Sequence, residues 1–332
     1  MAISRKKIFD VITLGDATRD MYVELGNEFV IRNGKKKNVK ELCVPFGAKL
    51  PVVNQTARIG GNAANVAMGC SKMGLSVAFA GALGDDEFGS SIREELLNNK
   101  IDVSLVTAQS KSKTNYSTIL LHNGERTILS YHPPRKYVPK ALPKTKWVYL
   151  TSMSAGYKRL WDSTAQKAKK GEFQLAVNPG SCQMSDGLTK WKKVVQASDI
   201  VFLNKTEVQK LLETDITSEK TLVRRFHELG CNVIIMTVGK KGAWGYDGDD
   251  LVHVKSLANN SSADSTGAGD SFASGMLSAL AYNKDWKHAL KWGIMNSGSV
   301  ISKVGPQNGL LSKAELKKWL RKYHTIQPQT FL

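Results

Sequence analysis

The stretch Asp264-Ser265-Thr266-Gly267-Ala268-Gly269-Asp270 holds residue types suited to moving a phosphoryl group. Such a transfer needs positioning and charge stabilisation more than covalent help from the protein. Small residues let backbone N–H groups come close to phosphate oxygens. A helix that starts there adds unsatisfied donors and the positive end of its dipole. Asp270, in the first turn of such a helix, is placed to accept the proton of an attacking hydroxyl. An acidic residue is also favoured at a helix N-terminus for structural reasons alone. The stretch is neither a Walker A loop, which ends in Gly-Lys-Ser/Thr, nor a GxGxxG dinucleotide loop.

A second candidate is Gly60-Gly61-Asn62-Ala63-Ala64-Asn65-Val66-Ala67. Two glycines before a helix permit a turn that a bulky ligand can approach. Asn62 and Asn65, three residues apart, project from one end of that helix. Their amides offer donors and acceptors to sugar hydroxyls. The same stretch also reads as an asparagine cap on an alanine-rich packing helix.

A scaffold has to hold these groups. Residues 8–14 read as a buried strand running into Gly15-Asp16. Short β-like pieces at 21–25, 28–32, 43–44 and 52–53, with Gly and Lys turns between, suggest small antiparallel strands. A helix is expected near 62–73, a strand near 76–82 and a helix near 87–98. Strands at 115–122 and 126–132 should form a hairpin across Asn123-Gly124. Beyond it, strands near 147–151, 173–177, 199–203 and 232–238 alternate with helices near 157–170, 186–197, 205–213 and 217–229. That alternation implies a mostly parallel sheet covered by helices on both faces. A last hairpin at 243–246 and 251–254 and helices near 267–282, 285–302 and 312–323 complete the chain.

Composition narrows the function classes. Of the 332 residues, 42% are apolar, which excludes a disordered chain. No run of about 18 uncharged apolar residues is present, so no membrane-spanning helix is expected. Arg5, Lys6 and Lys7 resemble a signal n-region, but Asp10 breaks the apolar run that follows, and a first strand is the better reading. Cys43, Cys70, Cys182 and Cys231 are far apart and form no zinc pattern, which fits a reducing cytoplasm. The net charge of +18 attracts anions, with lysines grouped at Lys35–Lys37, Lys167/Lys169/Lys170 and Lys190/Lys192/Lys193. No aromatic residues interleave with them, so a lysine-rich solvated surface is expected and not a nucleic-acid groove.

Together these features resemble the ribokinase-like (PfkB) family of carbohydrate kinases, whose two signatures occur here in order. The first is similar to Gly60 through Gly89, with Gly74-Leu75 and Gly81-Ala82-Leu83-Gly84-Asp85-Asp86-Glu87-Phe88-Gly89 in place. The second is Asp264–Asp270, similar to the family's D-T-x-G-A-G-D pattern, with Ser265 between Asp264 and Thr266. The resemblance covers nearly the whole chain. It implies a three-layer α/β/α fold with a mostly parallel central sheet and a small β-sheet lid. Residues 1–16, 59–112 and 133–332 would form the large domain, and 17–58 and 113–132 the lid.

The resemblance also implies roles. Asp270 would be the general base, and Gly267, Ala268 and Gly269 the anion hole. Asp20, at the end of Gly15-Asp16-Ala17-Thr18-Arg19-Asp20, would hold two substrate hydroxyls, with Gly60, Gly61 and Asn65 lining the same pocket. Asn204 and Glu207 match an N-x-x-E motif that organises Mg²⁺ largely through water, although read alone they form a helix capping box. Thr237, Gly239 and Gly242 match a T-x-G-x-x-G nucleotide loop. Asn178 would face the ATP phosphates and Asn296 the adenine side. Asp264 and Thr266 match positions that hold a monovalent cation, so K⁺ is a candidate ion. The lid can serve as a homodimer interface. Thr18 stands where ribokinases carry a sugar-reading asparagine, and the stretch from Asp20 to Gly60 is long, which weighs against ribose itself. Arg126 could meet an anionic or polyhydroxylated substrate.

The expected activity is ATP-dependent phosphorylation of a sugar or sugar-like molecule. The alternative is a nucleoside kinase, for which Phe46, Met153 and Tyr157 could floor a base. A non-catalytic sugar sensor or nucleic-acid-associated protein is a third reading.

Overall fold

Successive residues of the buried strands point to opposite layers, which is what a sheet covered on both faces requires. Trp147 and Tyr149 join one hydrophobic cluster and Val148 and Leu150 the other. Ile200 and Phe202 against Val201 and Leu203 repeat the pattern. The computed structural model describes residues 7–26, 29–34, 40–122, 125–257, 267–303, 305 and 307–331.

The first half runs β1 (Phe9–Leu14), β2 (Thr18–Leu25), β3 (Val30–Asn33), β4 (Lys40–Cys43), β5 (Val52–Gly60), α1 (Asn62–Lys72), β6 (Val77–Ala80), β7 (Ala82–Gly84), α2 (Glu87–Asn98), β8 (Thr107–Gln109), β9 (Asn115–His122) and β10 (Glu125–Tyr131). The second half runs β11 (Thr145–Thr151), α3 (Lys158–Lys169), β12 (Gln174–Asn178), α4 (Ser181–Asp186), α5 (Lys192–Val195), β13 (Ile200–Asn204), α6 (Lys205–Leu211), α7 (Glu219–His227) and β14 (Val233–Thr237). It ends with β15 (Ala243–Tyr246), β16 (Leu251–Val254), α8 (Ala268–Ala281), α9 (Trp286–Val300), α10 (Lys313–Lys322) and β17 (Gln329–Phe331).

The main sheet has the order β17-β16-β15-β14-β13-β12-β11-β1-β6. From β6 to β14 the pairing is parallel, and β14 to β17 pair antiparallel. Helices α1, α8 and α9 cover one face, with α8 and α9 in the most extensive contact, and α3 to α7 cover the other. A separate sheet of order β10-β9-β2-β5 stands beside the ends of these strands. Its strands come from the stretches read as lid, although β5 continues to Gly60.

Several elements differ from the sequence reading, among them β8, which it did not contain, and β5, which is longer than the piece read at 52–53. The helix expected at 186–197 is replaced by a 3-10 turn at Leu188–Lys190 and the short α5, and the preceding α4 stops at Asp186, where Gly187 takes φ 78°. The strand expected at 76–82 splits into β6 and β7 at Gly81, where a Cβ would lie 2.3 Å from the carbonyl oxygen of Gly15. Strand β17 is three residues long and shows no alternation to detect. The Asn123-Gly124 turn lies outside the described residues. Among the described residues no helix is long and apolar enough to cross a membrane.

Candidate active site

Strands β1, β11, β12, β13 and β14 end together on one edge of the main sheet, the side where open α/β sheets hold ligands. Register sets the line: Leu14 pairs with Leu150, Thr151 with Asn178 and Asn204 with Thr237. The first turn of α8 meets this edge. Gly267 takes φ 72° in the left-handed region just before the helix. Ser271 N donates to Gly267 O at 2.8 Å, the first rung of α8. The amides of Ala268, Gly269 and Asp270 therefore have no carbonyl partner inside the helix. A Cβ added at Gly269 would meet nothing within 4 Å, so this side of the turn opens onto free space.

Asp270 is only 9% exposed, and its Oδ2 accepts from Asn65 Nδ2 at 2.8 Å. Burial pushes its carboxyl up to about 6; the Asn65 bond opposes this and the charge of Glu207 adds to it. A carboxylate with that affinity for protons is ionised near neutrality and takes a proton more readily than a surface aspartate. Asn65 Oδ1 in turn accepts from Gln307 Nε2 at 2.9 Å, and the same Nε2 reaches Ile59 O at 3.1 Å.

Asp20 lies on β2, buried, with Thr18 Oγ1 donating to its Oδ1 at 2.8 Å. Burial raises its pKa above the usual carboxylate value, against hydrogen bonds from Thr18 and Ser117. Gly60 is opposite: its Cβ would lie 1.9 Å from Asp20 Oδ2. Gly61 takes φ 89°, and its Cβ would lie 2.7 Å from Asp16 O. The two glycines thus let β5 pass Asp20 and turn directly into α1, which carries Asn65.

Asn178 ends β12. Its Oδ1 accepts from Tyr149 OH at 3.3 Å and Asn62 Nδ2 at 3.5 Å, and its Nδ2 donates to Phe202 O at 2.8 Å. Asn204 and Glu207 do form a reciprocal capping box on α6, with Asn204 N to Glu207 Oε2 at 2.8 Å and Glu207 N to Asn204 Oδ1 at 2.9 Å. Burial raises the Glu207 pKa, and its charge reaches Asp270. Thr237 ends β14, and Val238 N donates to Gly242 O at 2.8 Å across a tight turn. Gly239 takes φ 49° and Gly242 φ 99°; a Cβ at Gly242 would lie 2.0 Å from Val254 O.

Some expected residues stand elsewhere. Asn296 is fully buried. Its Nδ2 donates to Ser271 O at 2.7 Å and its Oδ1 accepts from Leu311 N at 2.9 Å. It ties α9 to α8 and presents no exposed polar atom to an adenine. Arg126 is exposed on the edge strand β10, opposite Leu121, whereas Asp20 is in register with Ser117 four residues along β9. That offset of about 13 Å along the strand separates it from the Asp20 pocket. Met153 and Tyr157 belong to the core under α3, and Phe46 is fully exposed, so none of them floors a base beside Asp20. Asp264 and Thr266 lie outside the described residues.

The sequence reading missed Gln307, which follows the Gly305-Pro306 turn signal, and a buried hub at Asp16. Tyr137 OH donates to Asp16 at 2.7 Å, Asn115 Nδ2 to Asp16 Oδ2 at 3.1 Å, and Ser154 Oγ to the same oxygen at 3.0 Å. Arg135 Nη2 donates to Asn115 Oδ1 at 2.9 Å and extends the hub. No spacing rule links these residues, which meet only in the fold.

Known proteins share this fold. Residues 37–313 match the model of the pfkB family carbohydrate kinase. The chain is 25% identical over 298 residues to the ribokinase of Haemophilus influenzae, covering 84% of this chain and 94% of that one. It is 24% identical over 275 residues to the nucleoside kinase of Methanothermobacter thermautotrophicus, covering 78% and 83%. Among solved structures, Arabidopsis thaliana ribokinase complexed with ribose and ATP matches with a TM-score of 0.75 at 20% identity, over 95% of this chain and 99% of that one. With the match spanning both glycine-rich stretches and well over half of the sequence, this chain belongs to the pfkB family of carbohydrate kinases.

Proposed function

We propose that this chain transfers the γ-phosphoryl group of ATP to a hydroxyl of a sugar or sugar-like small molecule. The observation that carries the reading is Asp270, buried at the N-terminus of α8, held by Asn65 and raised in proton affinity. Asp270 takes the proton as the hydroxyl oxygen bonds to the γ-phosphorus, and the bond to the β–γ bridging oxygen breaks to release ADP. The amides of Gly267, Ala268 and Gly269 stabilise the charge on the transferring group. Asp20 grips neighbouring hydroxyls as a charged acceptor. Asn178 faces the phosphates, and the turn at Thr237, Gly239 and Gly242 receives the nucleotide.

Glu207 and Asn204 suit a hydrated Mg²⁺, with a half-buried carboxylate whose charge reaches the base. A Mg²⁺ ion held there would supply charge neutralisation on the phosphates. Asp264 and Thr266 are the candidate K⁺ ligands, tested by activity in buffer free of sodium and potassium. The β10-β9-β2-β5 sheet acts as a lid that excludes water. Val52, Val53, Ile128 and Leu129 on it are exposed, which supports a homodimer through the lid, read by light scattering. The scattered spacing of the four cysteines supports a cytoplasmic setting.

Coupled ADP release with Mg-ATP and potassium across pentoses, hexoses, sugar phosphates and nucleosides tests the reading. A responsive acceptor supports it. ATP binding with no turnover on any of them would point to a sensor.

A further inference from the structure

The lid places Arg58 in register with the hydroxyl-binding acid. Asp20 on β2 and Arg58 on β5 are direct register partners, so their side chains share one face of the sheet. Thr18, Ser117 and Gly60 lie on that same face, because Thr18 pairs with Gly60 and Asp20 with Ser117. Gln307 and Asn308 tie this face to the base. Arg58 Nη1 donates to Asn308 Oδ1 at 3.0 Å, and the neighbouring Gln307 donates to Asn65, which holds Asp270. Arg58 is half-buried there, not splayed into solvent. His132, just past the end of β10, lies near enough to Asp20 for its charge to favour the carboxylate.

The electrostatic balance of the pocket explains why this matters. Asp20, Asp270 and Glu207 put three carboxylates around a site that also receives a polyanionic nucleotide. A neutral sugar needs no further cation on the lid side. Arg58 has no carboxylate partner among the salt bridges of the described residues; its described partner is a neutral amide. A guanidinium carries five N–H donors in one plane, a geometry matched to two-oxygen anions.

We infer that Arg58 is a specificity residue that recognises an anionic group, a carboxylate or phosphate, on the phosphoryl acceptor. The inference rests on the kinase reading above and narrows its substrate class to acidic sugars.

The test compares matched pairs, D-gluconate against D-sorbitol and D-fructose 6-phosphate against D-fructose, by kcat/KM and by calorimetric affinity in the presence of a non-hydrolysable ATP analogue. The acidic member of at least one pair should be preferred by about 10–100-fold, as expected for a charge-assisted contact. Arg58→Gln should erase most of that ratio, and Arg58→Lys should restore part of it. The carboxylate and phosphate pairs distinguish the two anion types. The inference is overturned if acidic probes bind no better than neutral ones, or if the preference survives Arg58→Gln. Acidic probes that bind through Arg58 but never accept phosphate from ATP would instead overturn the kinase reading and leave the recognition intact.

Discussion

Replacing Asp270 by Asn should make the protein both inactive and more stable, and the stability gain should depend on pH. Burial raises the Asp270 carboxyl from its ordinary 3.8 to about 6. At 1.36 kcal/mol per pH unit, keeping it ionised in the folded state costs roughly 3 kcal/mol. The sign follows from the direction. A carboxyl raised on folding favours the folded state fully only below its unfolded value, and that contribution is lost as pH rises through the folded value. The neutral amide of Asp270→Asn carries no such penalty. For a chain of this size each kcal/mol moves Tm by roughly 2 °C, so the variant should melt ~5 °C higher at pH 8. The gain should shrink towards zero near pH 4. Turnover should fall by about 10²–10⁴-fold, with nucleotide affinity retained. Thermal melts from pH 4 to 8 and coupled ADP release measure both. An equal Tm difference across that range would refute the charge argument, and turnover within a few fold of wild type would remove Asp270 from the base role.

Three further outcomes follow from the same contacts. Glu207→Gln keeps the α6 cap but removes a charge that raises the Asp270 pKa, so the acid limb of the kcat/KM profile should move to lower pH; a shift upward contradicts the electrostatics. Asp20→Ala should raise KM for the acceptor by about 10–100-fold while KM for ATP changes little. Gly60→Ala drives a Cβ into Asp20 Oδ2, so it should destabilise the fold by on the order of 1–3 kcal/mol and weaken acceptor binding, read by melting and KM.

Local patterns carried much of the fold. The helix at 87–98 and the hairpin strands at 243–246 and 251–254 have the bounds their periodicity suggests. Where a single residue overrides the pattern, as Gly187 does by turning left-handed, periodicity alone extends a helix too far. The glycine-rich stretches stood out because glycines next to acids and amides are unusual, but each also read as an ordinary helix start, and only the family resemblance gave its residues roles. Asn296 shows the limit: its type suits ligand contact, yet its surroundings make it a structural amide between two helices. Gln307 and the Asp16 hub were invisible for the opposite reason. Their partners are remote in the chain, 242 residues away for Gln307 with Asn65 and 121 for Tyr137 with Asp16.

The pairing of β2 with β5 is regular from Thr18↔Gly60 outwards and becomes irregular only between Glu24 and Leu25. A slip of one residue near Asp20 would turn its carboxylate to the opposite face. The irregularity at the far end absorbs differences in length before they reach that point. Chain inserted between Leu25 and Val52 therefore leaves the alignment of Asp20 unchanged. An engineer could splice a reporter or a tether there, and a lineage could lengthen or shorten the same segment, while the acceptor-binding end of the sheet stays the same.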